Sequence, residues 1–174
     1  INSTVANVGL GDNNIYVYSN DTAGTVTNST NLSATGSGNY GIYSAGTVIN
    51  NANINYGSGV GNVGIYSING GTASNSGGAS ITVGASSVGN PNPSDNYYAI
   101  GMAAGYYGDA SSPAYTGNIL NSGTINVTGE NSIGMYGTES GTTVTNNGVI
   151  NLSASNTVGM YLDNGAYGIN NGII

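Results

Sequence analysis

The chain has 174 residues, a formal net charge of −7, and no Lys, Arg, His, Cys, Trp or Phe. Without cations it cannot neutralise phosphates, which excludes nucleic acid and an anionic membrane surface as partners and leaves trypsin no site to cut. Without His or Cys no Ser-His or Cys-His nucleophile can form, and a formal charge carried by seven acids leaves solubility to Asn, Ser and Thr.

Glycine (31) and asparagine (29) dominate, yet the 38% hydrophobic content recurs at regular spacing, which disordered chains lack. The spacing is a repeat of about 25 residues, the range in which one supersecondary unit is stacked on itself. No apolar run approaches the ~20 residues that would span a bilayer, and an opening on Ile1-Asn2-Ser3-Thr4, without a signal-peptide pattern, is expected of a mature or excised piece.

Three tracks follow one another along the chain. A triplet strand opens with the degenerate Tyr16-Val17-Tyr18 and continues as Gly41-Ile42-Tyr43, Gly64-Ile65-Tyr66, Gly101-Met102-Ala103, Gly134-Met135-Tyr136 and Gly159-Met160-Tyr161. After each comes an apolar-x-Asn track: Val26/Asn28, Val48/Asn50, Ala73/Asn75, Ile119/Asn121, Val144/Asn146 and Ile169/Asn171. An apolar-x-apolar strand closes the unit, as in Ile81-Thr82-Val83, Ile125-Asn126-Val127 and Ile150-Asn151-Leu152. All three alternate with period 2, and none places apolar residues at i, i+3, i+4 and i+7. Three short strands per turn, separated by Gly/Asn/Ser corners, predict an all-β fold. The fold is a parallel β-helix of six to seven coils spanning 1–174 as one segment, a rod roughly 30 Å long at ~4.8 Å per coil.

In this scheme the Asn column (Asn28, Asn50, Asn75, Asn121, Asn146, Asn171) points inward, each amide bonding the next along the axis. A buried Asn without such partners would cost ~1–3 kcal/mol, so its repetition is structural. Alternation places Tyr18, Tyr43, Tyr66, Tyr136 and Tyr161 outside together with the adjacent glycines, each ring covering a glycine. Such a column stabilises the sheet or stacks on sugar rings, and Ala103 interrupts it.

The Asn track spaces at 22, 25, 46, 25 and 25 residues, so one coil carries about twenty extra. The surplus falls in two loops, 84–98 and 104–117, which hold all three prolines and a Pro93-Ser94-Asp95-Asn96 turn. Insertions in solenoids protrude from one face and often bind ligands. The candidate ligand site is therefore Asp95, Tyr97, Tyr98, Tyr106, Tyr107, Asp109 and Tyr115; the alternative is that these rings pack the loops onto the rod.

The segments Asn131-Ser132-Ile133-Gly134-Met135-Tyr136-Gly137 and Asn146-Asn147-Gly148-Val149-Ile150-Asn151-Leu152 resemble passenger-domain repeats of bacterial autotransporter adhesins, fusobacterial ones in particular. The resemblance covers most of the chain outside the two loops. It implies a right-handed helix at the bacterial cell surface, used for coaggregation or host attachment.

Enzymatic readings find little support. A lyase needs an Arg or Lys base, and hydrolysis needs two carboxylates ~5–9.5 Å apart, for which Asp12 with Asp21 or Asp95 with Asp109 are the available pairs. Glu130 and Glu139 stand at opposite ends of a strand. No calcium-binding nonapeptide or Asp-x-Asp-x-Asp loop occurs, so neither metal nor cofactor is expected. The expected function is non-enzymatic: an extracellular adhesin or structural segment that presents its loops and tyrosines to a host or bacterial surface glycan or protein. Neither end carries an evident polar cap. The sequence is then a window of a longer passenger, or copies stack head to tail into a filament, with self as partner.

Overall fold

The computed structural model describes residues 11–88 and 97–174. Asp95, the Pro93–Asn96 turn and Ile1–Thr4 lie outside the described residues.

Seventeen strands wind through three parallel sheets, and no helix occurs among the described residues. The triplets form the first sheet: β1 (Ile15–Ser19), β4 (Tyr40–Ser44), β7 (Val63–Ser67), β10 (Ile100–Ala104), β13 (Ile133–Gly137) and β16 (Val158–Leu162). The Asn track forms the second: β2 (Thr25–Asn28), β5 (Thr47–Asn50), β8 (Thr72–Asn75), β11 (Asn118–Asn121), β14 (Thr143–Asn146) and β17 (Tyr167–Asn170). The third holds β3 (Leu32–Ser33), β6 (Ile54–Tyr56), β9 (Ser80–Val83), β12 (Thr124–Val127) and β15 (Val149–Leu152). Each strand pairs in parallel with its copies one coil away, giving six coils of a right-handed parallel β-helix. Asn75 pairs with Asn121 across the long interval, so the extra residues belong to the fourth coil and leave the register intact.

The core is a set of stacks. Ile42, Ile65, Met102 and Met135 line the first sheet, Val26, Val48, Ala73, Ile119 and Val144 the second, and Leu32, Ile54, Ile81, Ile125 and Ile150 the third, all buried. Beside them runs the asparagine ladder, whose Nδ2 groups donate to the next Oδ1 from Asn28 through Asn50, Asn75, Asn121 and Asn146 at 2.7–2.9 Å. Its sixth rung is Asn170, at 2.8 Å from Asn146, and not Asn171. The corner before β17 has four residues where that before β14 has five. This one-residue deletion slips the register, so Gly168 sits opposite Val144 and Ile169 opposite Thr145. Asn171 is exposed and donates to Asn147 at 3.0 Å.

The expectation that the triplet glycines lie outside under tyrosine rings is wrong. Gly134 and Met135 are consecutive and both buried, and the pairing register skips the glycine in every neighbour. The strand bends there around the core, so strict alternation fails at that point. A Cβ on Gly134 would lie 2.6 Å from the Gly159 carbonyl oxygen and 2.7 Å from Ile150 Cγ2. Gly41, Gly64 and Gly101 meet the next glycine's carbonyl at 2.5–2.6 Å in the same way. The column is glycine because the coils approach too closely for any side chain.

Corners have their own chemistry. Two residues before the triplet strand the backbone is left-handed at Asn13, Gly38, Gly61, Asn131 and Asn156, residue types that adopt positive φ most readily. Tyr98 holds that place in the fourth coil without a positive φ, and there the corner opens into the first insertion.

Candidate functional site

Both insertions leave the rod at the fourth coil, and the described ends of each pair in antiparallel. The first closes where Ser87 and Tyr97 exchange backbone hydrogen bonds of 2.8 and 2.9 Å. Its base is anchored from inside: Ala99 N–H donates to the Ser86 hydroxyl at 2.8 Å, which contacts Ser132 Oγ at 3.2 Å, and Ser132 donates to the Gly84 carbonyl at 2.8 Å. The second hairpin closes between Tyr106 and Tyr115, with two bonds of 2.8 Å. Its tip is organised by Asp109. The carboxylate accepts from the Tyr106 hydroxyl, from Ser111 N–H and Oγ–H, both at 2.7 Å, and from Ser112 N–H at 2.9 Å. The tyrosine bond and the Ser111 bonds hold the Asp109 carboxyl well below the usual carboxylate range. In turn the bond to Asp109, ahead of any burial, pushes the Tyr106 hydroxyl up to about 12. Asp109 is thus occupied in shaping its own loop.

The second hairpin divides the tyrosine column. Tyr66 donates to the Gly105 carbonyl at 2.7 Å, tying the hairpin's root to the sheet, and Ala103 beside it is buried. Tyr18, Tyr43 and Tyr66 pack on one side of this divide, with ring centroids 5.7 and 5.2 Å apart. Tyr40 joins them, stacked on Tyr66 at 6.1 Å. Tyr106 and Tyr115 lie close enough to this group to raise the Tyr66 and Tyr43 hydroxyls respectively, though burial is the larger cause in both.

On the other side Tyr136 and Tyr161 stack at 5.9 Å with their planes 12° apart, and here the sheet stays open. A groove of about 620 Å³ runs over the outer face of β10, β13 and β16. Its floor is Ile100, Ile133 and Val158, outward-facing residues paired with one another along the sheet. Tyr98 comes from the first hairpin, Tyr107 from the second, and Tyr136, Tyr161, Asn131 and Asp163 complete the wall. Tyr98, Tyr107 and Tyr161 are 50%, 64% and 46% exposed; Tyr107 stacks on Tyr106 at 5.6 Å and Tyr161 on Tyr136, which leaves each of these two one face for a ligand. Asp163 is the one charged group lining the groove, and Tyr136 OH reaches its two carboxylate oxygens at 3.3 and 3.4 Å. Burial, with the Asp163 charge adding, pushes the Tyr136 hydroxyl up to about 12.

The structure thus brings two of the seven candidate loop residues, Tyr98 and Tyr107, to one site, where ladder residues Tyr136 and Tyr161 join them. Tyr97 points elsewhere, into a smaller hollow with Asp12 and Ser37. Tyr106, Asp109 and Tyr115 form the hairpin itself, and Asp95 is outside the described residues. Sequence reasoning missed Asp163 and Asn131. Asn131 was marked by its place in the left-handed corner column, whereas nothing in the repeat marks Asp163. A second inward polar column was missed as well: Asn39 Oδ1 accepts from Asn14 N–H and Asn62 Oδ1 from Asn39 N–H, each at 2.8 Å. No group of three or more metal-ligating side chains occurs among the described residues.

The family model of the BigA third pectate lyase-like domain matches residues 55–172, more than half of the chain. The chain belongs to that family. No curated protein and no solved structure matched it.

Proposed function

We propose, from membership of a pectate lyase-like β-helix family and from the open groove, that the chain is a non-enzymatic segment of a bacterial cell-surface protein. It holds an attachment site away from the cell. The observation that carries this reading is the convergence of Tyr98, Tyr107, Tyr136 and Tyr161 on one exposed face from two hairpins and two coils. Rigid aromatic anchors on an apolar floor are the residues that dominate recognition sites. The autotransporter-type passenger and the extracellular location belong to this proposal. So does the choice of partner: a glycan or protein on a host or bacterial surface, with nucleic acid and membrane set aside because no cation is present.

Catalysis is set aside on the chemistry of the residues. The groove offers a single carboxylate, and Asp109 is consumed by four hydrogen bonds within its hairpin. The test is attachment of the purified chain to bacterial and epithelial cells, beside Tyr98→Ser and Tyr161→Ser. Both variants lower attachment at least tenfold if the groove is the contact. Undiminished attachment by both refutes it.

A head-to-tail filament is the second reading, favoured by the polarity of the asparagine ladder. Every rung donates from Nδ2 of one coil to Oδ1 of the next, so a further coil in register beyond Asn170 extends the ladder in the same sense. Negative-stain microscopy at rising concentration decides: rods much longer than ~30 Å support stacking, and uniform short particles exclude it.

A further inference from the structure

We infer that the groove receives an arginine-bearing segment of a partner protein, the guanidinium lying among the tyrosine rings against Asp163. This rests on the reading of the groove as the attachment site and names the chemistry it recognises.

The charge distribution leads there. Of the seven acids, Asp163 lines the groove, whereas Glu130 lines a separate hollow beside Ser86 and Ser153 and Asp109 is bonded within its own hairpin. Asp163 is thus the groove's own charge, and the chain contains no cation to offset it. An anionic ligand, including the acidic polysaccharide suggested by a pectate lyase-like fold, would meet repulsion with no compensating contact. A neutral ligand faces a different cost. Filling the groove strips water from Asp163, and a carboxylate losing solvent without a counter-charge is strongly disfavoured. Its present partner, the Tyr136 hydroxyl at 3.3–3.4 Å, is weak. A cation repairs that loss directly.

The rings select among cations. Tyr98, Tyr107 and Tyr161 are the exposed rings of the groove, the last two with one face already stacked on a tyrosine, and a guanidinium stacks on a remaining face while its paired N–H groups match a carboxylate. A lysine ammonium makes the charge contact without the planar stacking. A second copy of this chain cannot be the occupant, because it has no Arg or Lys to offer.

The experiment is isothermal titration with a hexa-arginine peptide, hexa-lysine and the neutral hexasaccharide maltohexaose. Wild type binds hexa-arginine, more weakly as salt rises, binds hexa-lysine several-fold less tightly, and does not bind maltohexaose. Asp163→Asn and Tyr107→Leu each weaken hexa-arginine binding at least tenfold. Asp21→Asn makes the same change in net charge at the first coil's corner and leaves affinity within twofold. Equal losses in Asp163→Asn and Asp21→Asn would show diffuse attraction and overturn the inference. So would competition by maltohexaose, or the absence of any peptide binding. Tyr107 is on an exposed hairpin, so its variant keeps the fold, as an unchanged circular dichroism spectrum verifies. If cell attachment still depends on Tyr98 and Tyr161 while hexa-arginine fails to bind, the attachment site stands and only the cationic ligand falls.

Discussion

Replacing Asn121 by Ala tests the ladder at its middle. The Asn121 amide accepts from Asn75 Nδ2 and donates to Asn146 Oδ1, both at 2.9 Å, and also approaches the Gly123 and Val149 carbonyls at 3.3 and 3.4 Å. All three side chains are buried, so water cannot replace the missing amide. Asn75 Nδ2 keeps only marginal acceptors at 3.5 Å, and Asn146 Oδ1 keeps the Gly148 N–H at 3.3 Å. Two buried polar atoms lose their main partners, at ~1–3 kcal/mol each, giving about 2–6 kcal/mol in all. At ~2–4 °C per kcal/mol for a chain of this size, the midpoint of thermal unfolding falls by roughly 5–20 °C.

The assay is thermal and denaturant unfolding by circular dichroism, with amide hydrogen exchange to locate the loss, because stacked repeats can open locally. Asn28→Ala supplies the internal comparison. Among the described residues Asn28 makes one ladder bond, to Asn50, and its Oδ1 has only the Thr30 N–H at 3.4 Å, so on those partners truncation there costs about half as much. A loss below ~1 kcal/mol at Asn121, or equal losses at the two positions, would refute the reasoning that each rung is held by its two neighbours.

Other expectations are tested with the same instruments. Gly134→Ala drives a methyl into the Gly159 carbonyl and Ile150, and overpacking of this kind costs ~1–3 kcal/mol, whereas Gly78→Ala meets nothing and is neutral. Asn170→Ala lowers stability more than Asn171→Ala, because Asn170 carries the last rung; the reverse order by denaturant midpoint would contradict the one-residue slip. Alkali destabilises the fold: burial raises the hydroxyls of Tyr56, Tyr66 and Tyr136, so their stabilisation is complete below pH 10 and is lost as pH climbs through the raised values. Absorbance at the tyrosinate band then rises in two stages, exposed rings first and buried rings with unfolding, and one reversible stage near pH 10 would be inconsistent with buried hydroxyls.

The coil was legible because each of its three strands keeps its own period-2 signature from turn to turn. A column of identical buried amides also has one economical explanation, mutual hydrogen bonding along the axis. What misled the reading was alternation itself. Gly134 and Tyr136 share a face in a straight strand, but the strand bends at the glycine, and the bend became visible only in the contact a Cβ would make. Asn171 was misassigned because a one-residue deletion in a corner leaves both Asn170 and Asn171 at plausible spacing. The groove could not be read at all as a unit. Nothing in the sequence says that hairpins leaving Val83 and Ala104 aim Tyr98 and Tyr107 toward the fifth and sixth coils rather than the second and third.

That direction explains why the site lies where the repeat is broken. In a stacked solenoid each coil is stabilised by its two neighbours, so a coil that keeps its core and ladder residues can change its outer face at little cost. The fourth coil keeps Met102, Ile119, Asn121, Ile125 and Val127 buried and in register. Outside, it gives up the left-handed corner at Tyr98 and the column tyrosine at Ala103. Both departures serve the groove. The first lets a hairpin leave the corner, and the second lets the other hairpin root against the sheet between Tyr66 and Tyr136. Restoring the repeat should therefore erase the site while preserving the rod. Replacing 106–115 by a two-residue Asn-Gly corner leaves the core packing and the ladder untouched, so unfolding remains close to wild type while groove binding disappears. Retained binding would mean that recognition resides in the regular coils, and that the irregular one is only a tolerated insertion.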